Sequence, residues 1–305
     1  MRKLLFIYNP TSGKGKVRSA LAEVLDTFTK YGWLVTVYPT QCPGDATRAA
    51  NELGGGFDRV VCAGGDGTLS ETVAGLMELA HPPVLAFLPS GSTNDCGVNL
   101  RLPIISERSA ALTAGEGFPR PWDIGRLNSR PFVYVAAFGA FTEVAYDTPQ
   151  DLKNTFGHLA YIMSGIASIP SITPYHIKVE YDGQCVEGDF YYGMVCNSYS
   201  VGGIKGLPTD RVALDDGLFE VVLVKKPIAI NEIIGALQSL IRQAPVEGSA
   251  VLSFHASKMK FTSSAPIPWT LDGEFGGKYM VTYAENYKQA LTIVQGPETP
   301  RSQNK

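Results

Sequence analysis

The amino-acid sequence predicts an α/β protein made of an N-terminal doubly wound parallel-sheet domain and a β-rich, mostly antiparallel second domain. Two observations predict this class. The first 100 residues repeat a unit of apolar run, glycine-rich turn and helix-like stretch, and after about residue 122 strand-like runs follow one another. A length of 305 residues, greater than that of most single domains, also favours two domains.

The first domain is predicted to contain four parallel strands, each followed by a turn and a helix. Ligands of such sheets bind at the carboxyl ends of the strands. The predicted strands cover residues 3–8, 33–38, 59–63 and 84–88. The helix after the first strand is predicted from apolar residues at positions i, i+3, i+4 and i+7 of one face, namely Leu21, Val24, Leu25 and Phe28.

The second domain is predicted from strand-like runs separated by "DGQ", "DDG" and "DGE" turns, which are typical of antiparallel connections. Two stretches of helical pattern, 150–168 and 228–242, interrupt these runs, and a last strand at 289–296 is predicted to return to the first domain. We therefore place the first domain at 1–122 with 288–305 and the second at 123–287. The runs cover residues 131–138, 175–181, 190–196, 218–224, 258–263, 267–271 and 278–283.

Composition and charge argue against several classes of function. A net charge of −3 offers no electrostatic reason to expect a nucleic-acid partner. No stretch of about 18 uncharged apolar residues predicts a membrane span, and the apolar part of "MRKLLFIYNP" is too short for a signal peptide. The five cysteines include no C-x-x-C pair, which favours reduced thiols over a disulfide framework or a zinc site. These observations predict a cytoplasmic protein.

Three glycine-rich turns, each at the end of a predicted strand, indicate a site for phosphate groups. "YNPTSGKGK" (8–16) opens a helix whose N-terminal N–H groups can bind an anion, although the spacing is not that of a Walker A loop. "GGDGT" (64–68) lets the backbone approach a phosphate closely. Its Asp66 could hold Mg²⁺ through water without supporting the core, or it could cap a helix that starts near Thr68. "LPSGSTNDCG" (88–97) is the third turn, and three at successive strand ends are stronger evidence than one.

These turns, together with three later motifs, resemble the soluble diacylglycerol kinase and sphingosine kinase-like lipid kinase family. The resemblance runs from residue 7 to about residue 293. "GGDGT" alone is shared with NAD kinases, and the later acidic turns narrow the resemblance to lipid kinases. Bacterial members of the family have a nucleotide-binding α/β domain and a β-rich second domain, with the active site in the cleft between them. The later motifs are "WDIGRLN" (122–128), "ALDDGLFEV" (213–221) and "TLDGE" (270–274).

The resemblance implies roles for individual residues. Asp66, Asp95 and Asp123 would organise the catalytic Mg²⁺. A second, structural Mg²⁺ would bind the Asp216 carboxylate and the carbonyl oxygens of Ala213 and Leu218, although "DDG" is equally well explained as an ordinary hairpin turn. Asp272 and Glu274 would be the candidates for accepting the lipid hydroxyl proton, with Asp272 slightly favoured and Asp66 as the next candidate. The residues that would hold ATP are Asn9, Pro10, Thr11, Ser12, Gly13, Thr40, Gly64, Gly65, Asp66, Gly67, Thr68, Leu69, Ser70, Ser92 and Asn94.

The implied activity is that of an ATP-dependent lipid kinase that transfers the γ-phosphoryl group to a hydroxyl of diacylglycerol or a related lipid. A lipid substrate without a membrane span implies peripheral contact with the bilayer surface, and a homodimer is one expectation for the assembly. Two alternatives stay open. The first is a kinase of a soluble acceptor such as NAD. The second is a nucleotide-binding regulator without catalysis, against which the intact "GGDGT" and "LDGE" motifs argue.

Overall fold

The computed structural model describes residues 1–91, 94–139, 173–197, 200–201, 204–205, 213–225 and 250–297. The chain divides into two compact units. Unit 1 contains Met1–Trp122 and Ala290–Lys305, and unit 2 contains Asp123–Gln289.

Unit 1 alternates strands and helices, as the repeated pattern of the sequence predicts. Short 3₁₀ turns at Ser12–Gly15 and Gly54–Gly56 and a π-helical turn at Leu112–Glu116 complete it. In chain order the strands and α-helices are β1 (Arg2–Tyr8), α1 (Lys16–Lys30), β2 (Trp33–Pro39), α2 (Asp45–Leu53), β3 (Arg59–Gly64), α3 (Asp66–Leu76), β4 (Val84–Pro89), α4 (Asp95–Asn99) and α5 (Glu107–Ala111).

The strands of unit 1 pair in parallel. β1 lies between β2 and β3, and β3 pairs with β4 on its other side. The last residues of the chain's final strand add to the open edge of β4, where Ile293 pairs in parallel with Leu85. Helix α1 buries Val24 and Phe28 in a cluster with Phe6 of β1, which confirms the predicted apolar helix face.

Unit 2 is built mainly from antiparallel strands. β7, β8 and β12 each pair with β9, while β14 pairs with β7, β8 and the final strand, β15. The remaining strands in chain order are β5 (Phe118–Leu127), β6 (Arg130–Phe132), β7 (Val135–Gly139), β8 (Tyr175–Tyr181), β9 (Gln184–Cys196), β10 (Ser200–Val201), β11 (Ile204–Lys205), β12 (Phe219–Lys225), β13 (Val251–Ala256), β14 (Lys258–Leu271) and β15 (Glu274–Gln295).

Two of the predicted turns are tight hairpins with Asp-Gly at their centres. Asp182 and Gly183 connect β8 to β9, and Asp272 and Gly273 connect β14 to β15, all with positive φ angles. Asp-Gly is favoured in such turns because both central residues must adopt the left-handed conformation. The core inside these strands includes the aromatic residues Phe138, Phe261 and Trp269, which pack edge to face.

The mixed α/β class is confirmed, and some predicted boundaries change. The run 131–138 is interrupted between β6 and β7. The predicted strands at 278–283 and 289–296 form one long strand, β15, in which Gln289 has a φ of 51°. The predicted helices at 150–168 and 228–242 lie outside the described residues. Within the part of the chain that the structure describes, no helix is both long enough and apolar enough to cross a membrane.

Candidate active site

The three glycine-rich turns of unit 1 lie side by side, because β4, β3 and β1 are parallel neighbours and end at one edge. The Asn9 N–H donates to the Ala63 carbonyl oxygen at 2.9 Å. The Ser90 N–H donates to the Gly64 carbonyl oxygen at 2.8 Å, and its hydroxyl lies 3.1 Å from that of Ser12. The structure therefore brings together turns that are far apart in sequence.

Glycine is required where these turns touch. Gly13 has a φ of 60°, and a Cβ atom there would overlap the carbonyl oxygen of Ser90. A Cβ atom on Gly91 would lie 2.7 Å from the Gly65 Cα atom. The backbones therefore approach each other closely, and little side-chain bulk separates a ligand from their N–H groups.

Side-chain hydrogen bonds hold the first turn in shape. The Asn9 Oδ1 atom accepts hydrogen bonds from the Thr11 N–H at 2.9 Å and from the Thr11 hydroxyl at 2.8 Å. Pro10 lies inside this turn, and Ser12 and Gly13 begin the 3₁₀ turn before α1. The predicted phosphate turn is thus ordered by its own residues.

Asp66 connects the second turn to the third. It is the first residue of α3, it is 8% exposed, and its carboxylate accepts the N–H groups of Asp95 and Cys96, each at 3.1 Å. These donors belong to the first residues of α4, so Asp66 satisfies N–H groups that a helix end leaves without partners. Asp66 therefore has a capping role of the kind that the sequence left open, but the helix end that it caps is that of α4 and not of a helix starting near Thr68.

The other predicted nucleotide residues also lie at this edge. Asn94 has a φ of 54° and donates from Nδ2 to the Gly91 carbonyl oxygen at 2.7 Å. Thr40 follows β2 and donates its N–H to the Tyr8 carbonyl oxygen at 2.9 Å. Ser92 lies outside the described residues. Gly64 ends β3, Gly65 precedes α3, and the first turns of α3 contain Gly67, Thr68, Leu69 and Ser70.

Asp123 belongs to unit 2, where its carboxylate organises the "DDG" turn. Asp123 is 0% exposed, and its two oxygens accept the N–H groups of Gly217 and Gln289, each at 2.6 Å. Burial raises the pKa of this carboxyl, while those two N–H donors oppose the shift. Of the three acids predicted to share the catalytic metal, the structure joins Asp66 to Asp95 through a hydrogen bond.

The predicted structural metal site lies beside a buried acid that the sequence analysis missed. Glu220 is 1% exposed, and among the described residues neither of its carboxylate oxygens has a hydrogen-bond partner. Burial, together with smaller contributions from the charges of Asp216 and Asp123, raises its pKa to about 8. The strand pattern gave no signal for Glu220, because an acid in a strand more often faces solvent.

A bound cation would stabilise the charged form of Glu220, which burial disfavours unless a counter-charge or hydrogen-bond donors lie beside it. The exposed Asp216 accepts the Leu218 N–H through Oδ1 at 2.9 Å. Among the described residues, no cluster of three or more acidic, histidine or cysteine side chains could hold a metal. Main-chain carbonyl oxygens such as those of Ala213 and Leu218 would therefore have to complete the ligand set.

Asp272 is the first central residue of the β14–β15 hairpin turn and Glu274 directly follows the turn, and the two acids have different surroundings. Asp272 is 6% exposed, and its carboxylate accepts the N–H groups of Val133, Tyr134 and Val135 at 2.7, 3.0 and 3.1 Å. Glu274 is the first residue of β15 and is exposed. The Asp272 carboxylate thus holds the segment before β7 in place, whereas the Glu274 side chain projects into solvent.

Comparison with known proteins places this geometry among kinases. The family model "Diacylglycerol kinase catalytic domain" matches residues 3–127, and "YegS C-terminal NAD kinase beta sandwich-like domain" matches residues 136–295. The chain is 36% identical to a diacylglycerol kinase from Bacillus subtilis (strain 168) over 295 residues, covering 96% of this chain and 97% of the relative. A diacylglycerol kinase from Staphylococcus carnosus (strain TM300) is 34% identical over 294 residues, which is 96% of this chain and 94% of that relative.

Solved structures agree with these matches over almost the whole chain. The crystal structure of a provisionally named diacylglycerol kinase from Bacillus anthracis str. Sterne is 25% identical, with a TM-score of 0.81 and coverage of 97% of this chain and 96% of that one.

Proposed function

The chain belongs to the diacylglycerol kinase family and is a lipid kinase, and we propose that it transfers the γ-phosphoryl group of ATP to a hydroxyl of diacylglycerol or a related lipid. One observation carries the proposal in this chain: three glycine-rich turns meet at one sheet edge with their backbones in contact. Phosphoryl transfer depends mainly on positioning and on stabilising negative charge, which such an edge supports.

The turns of unit 1 are proposed to bind the phosphates of ATP through backbone N–H groups. Asn9–Gly13 and Gly64–Ser70 are the proposed binding segments. In the first of them the N–H groups of Asn9 and Thr11 already have acceptors in the protein, which leaves the Gly13 N–H and the Ser12 hydroxyl as candidate donors. The α1 and α3 N-termini favour negative charge. Ser92 and Asn94 of the third turn and Thr40 after β2 complete the proposed ATP residues. No basic side chain of a Walker A loop is needed in this arrangement, because N–H groups supply the positive ends of the dipoles.

Mg²⁺ is the proposed metal cofactor. When bound, the ion would supply positive charge that offsets the negative charge of the phosphate groups during transfer. Asp66 and Asp95 are the carboxylates of unit 1 proposed to hold it, through water or directly. The role of Asp123 in binding this Mg²⁺ stays a prediction. A second Mg²⁺ at Asp216, with the carbonyl oxygens of Ala213 and Leu218, is proposed to be structural and is supported by the acidic surroundings of Glu220.

Glu274 is proposed as the group that takes the proton from the lipid hydroxyl. A general base needs an oxygen that can reach the acceptor's proton. The Glu274 carboxylate is exposed, while the Asp272 carboxylate is buried and accepts three backbone N–H groups. Asp272 is therefore proposed to position the hairpin turn that carries Glu274, which reverses the slight preference drawn from the sequence.

The finer parts of the proposal concern the two domains and where the protein works. Residues 1–122 with 288–305 would be the ATP-binding domain, and residues 123–287 the lipid-substrate domain. A doubly wound arrangement of unit 1, with helices on both faces of its sheet, is part of the proposal; α1 packs on β1 and β2, and α3 packs on β3. Peripheral contact with the membrane from the cytoplasm, a part in phospholipid biosynthesis and a homodimer all belong to the same proposal.

An ATP-consumption assay with several acceptors tests the proposal. The protein is incubated with ATP and Mg²⁺ in mixed detergent micelles that contain diacylglycerol, sphingosine or a monoacylglycerol, with NAD in a parallel reaction. We expect turnover with a lipid and none with NAD. Turnover with NAD alone would establish a soluble acceptor and overturn the proposed substrate. ATP binding without turnover on any acceptor would favour a regulator.

A further inference from the structure

Glu71, in the second turn of α3, reaches across to the N-terminus of α2. Its carboxylate accepts the Gly44 N–H at 2.9 Å through Oε1 and the Ala46 N–H at 3.3 Å through Oε2. Its backbone carbonyl oxygen accepts the Thr47 hydroxyl at 2.9 Å. Gly44 is the N-cap of α2 and offers no side chain of its own, so Glu71 supplies the cap from another helix.

Close packing between α2 and α3 keeps Glu71 next to the N-terminus of α2. Gly75 lies one turn after Glu71 on the same face of α3, and a Cβ atom there would overlap the Thr47 carbonyl oxygen. It would also lie 2.8 Å from the Ala50 Cβ atom. The close contact at Gly75 therefore sets the distance between the two helices. This distance in turn fixes the position of the Glu71 carboxylate relative to the N-terminus of α2.

The segment that Glu71 holds is the connection between β2 and α2, which begins at Thr40. Its first part is held separately, because the Asp45 carboxylate accepts the Gln41 N–H at 2.8 Å. Its last part is held by Glu71 at Gly44. Thr40 itself is tied to the end of β1 through the Tyr8 carbonyl oxygen. Two carboxylates from different elements thus help to order this short loop.

This loop lies at one side of the phosphate turns. β2 is the outer neighbour of β1, while the turns after β1, β3 and β4 make the closest backbone contacts. If the phosphates of a nucleotide occupy those three turns, its ribose and base must lie outside them. The β2–α2 loop is the next element along the edge of the sheet. The order of the strands therefore puts the loop beside the phosphate turns, on the β2 side of the sheet.

We propose that Glu71 is a positioning residue that fixes the β2–α2 loop against the ribose and base of the bound nucleotide. The inference rests on the proposed use of ATP. This role of Glu71 differs from a purely structural role. Loss of the Glu71 hydrogen bonds would weaken contacts of the loop with the nucleoside while leaving the phosphate turns intact. A ligand that contains phosphates alone would then bind equally well to the wild-type and altered proteins.

The test compares ATP with inorganic tripolyphosphate, which lacks the nucleoside. Binding of each is measured by calorimetry on the full chain for wild type, Glu71→Ala and Glu71→Gln. Glu78→Gln, the same change of charge at an exposed position just after α3, is the matched control. We expect Glu71→Ala to weaken ATP binding about tenfold and Glu71→Gln to weaken it less, with tripolyphosphate binding unchanged. Thermal melting verifies the fold of each variant.

Several outcomes would overturn the inference. ATP binding unchanged in Glu71→Ala would do so, as would equal weakening of ATP and tripolyphosphate. If Glu71→Ala does not fold, Glu71→Gln decides by the same comparison, because its amide keeps one acceptor oxygen. Calorimetry needs no lipid, so a protein that binds ATP but phosphorylates no lipid would refute the proposed activity and leave this test intact. A wild-type protein that binds no ATP would overturn both.

Discussion

Among individual residues, Asp66 combines a proposed metal-binding role with an observed structural role. Asp66→Ala is expected to abolish turnover and to lower the free energy of unfolding by about 1–3 kcal/mol, because the buried N–H groups of Asp95 and Cys96 lose their acceptor. Asp66→Asn keeps an acceptor oxygen and should restore part of the stability without restoring turnover. Urea unfolding and ATP consumption measure the two effects. Full turnover in a folded Asp66→Ala protein would place the metal elsewhere.

Asp272 and Glu274 are separable by their amide variants. In Asp272→Asn an NH₂ group replaces an oxygen that now accepts backbone N–H groups, so stability should fall by roughly 1–3 kcal/mol. In Glu274→Gln, at an exposed position, stability should stay the same while turnover falls about 10²-fold or more with little change in ATP affinity.

Melting curves and steady-state kinetics on both amide variants decide the assignment. Normal turnover in Glu274→Gln together with a loss of turnover in a stable Asp272→Asn protein would return the base to Asp272.

At the scale of the element, the contact between the first and third turns of unit 1 depends on Gly13. Gly13→Ala should weaken ATP binding at least tenfold, because the new methyl group would force the turn away from the Ser90 carbonyl oxygen. Gly15→Ala is the matched control, since Gly15 also has a positive φ but has open space around its Cβ position. Equal ATP affinities of the two variants, measured by calorimetry, would show that backbone strain alone explains the effect.

The β8–β9 hairpin contains a pH-dependent contact on its outer face. His176 lies between the Asp189 and Glu187 carboxylates, at 2.9 and 3.2 Å, and its pKa is raised by hydrogen bonds first to Asp189 and then to Glu187. A raised pKa means that the contact stabilises the fold fully below the ordinary histidine pKa and loses this effect as pH rises through the folded value.

An NMR titration of the His176 ring checks this shift. The titration midpoint should lie above that of a model peptide, and Asp189→Asn should move it down more than Glu187→Gln does. A midpoint unaffected by either change would show that the pairs do not persist in solution.

At the scale of the whole molecule, the proposed structural Mg²⁺ should appear as added stability. A ligand that binds only the folded chain stabilises it by an amount that grows with its concentration. Millimolar Mg²⁺ is therefore expected to raise the melting temperature of the wild-type protein, and Asp216→Ala should lose most of that rise. Asp215→Ala, a change at the exposed neighbouring acid, is the control. A rise of equal size in the Asp216→Ala protein would exclude Asp216 as the metal ligand.

Features of the protein that depend on local pattern could be predicted from the order of its amino acids. The alternation of strands and helices, the buried face of α1 at Val24 and Phe28, and the hairpins at Asp182 and Asp272 all follow from spacing and turn chemistry within a few residues. The meeting of the three glycine-rich turns was also foreseeable, because parallel neighbouring strands end at a common edge.

The roles of the acidic side chains, by contrast, could be read only from the folded chain. Asp66 binds a helix end 29 residues away, Glu71 caps a helix 27 residues before it, and Asp272 holds an N–H group 139 residues before it. Glu220 is a buried acid on a strand that offered no such signal. The physical reason is that a carboxylate's charge and hydrogen bonds depend on which distant groups the fold places beside it, and sequence spacing does not record that placement.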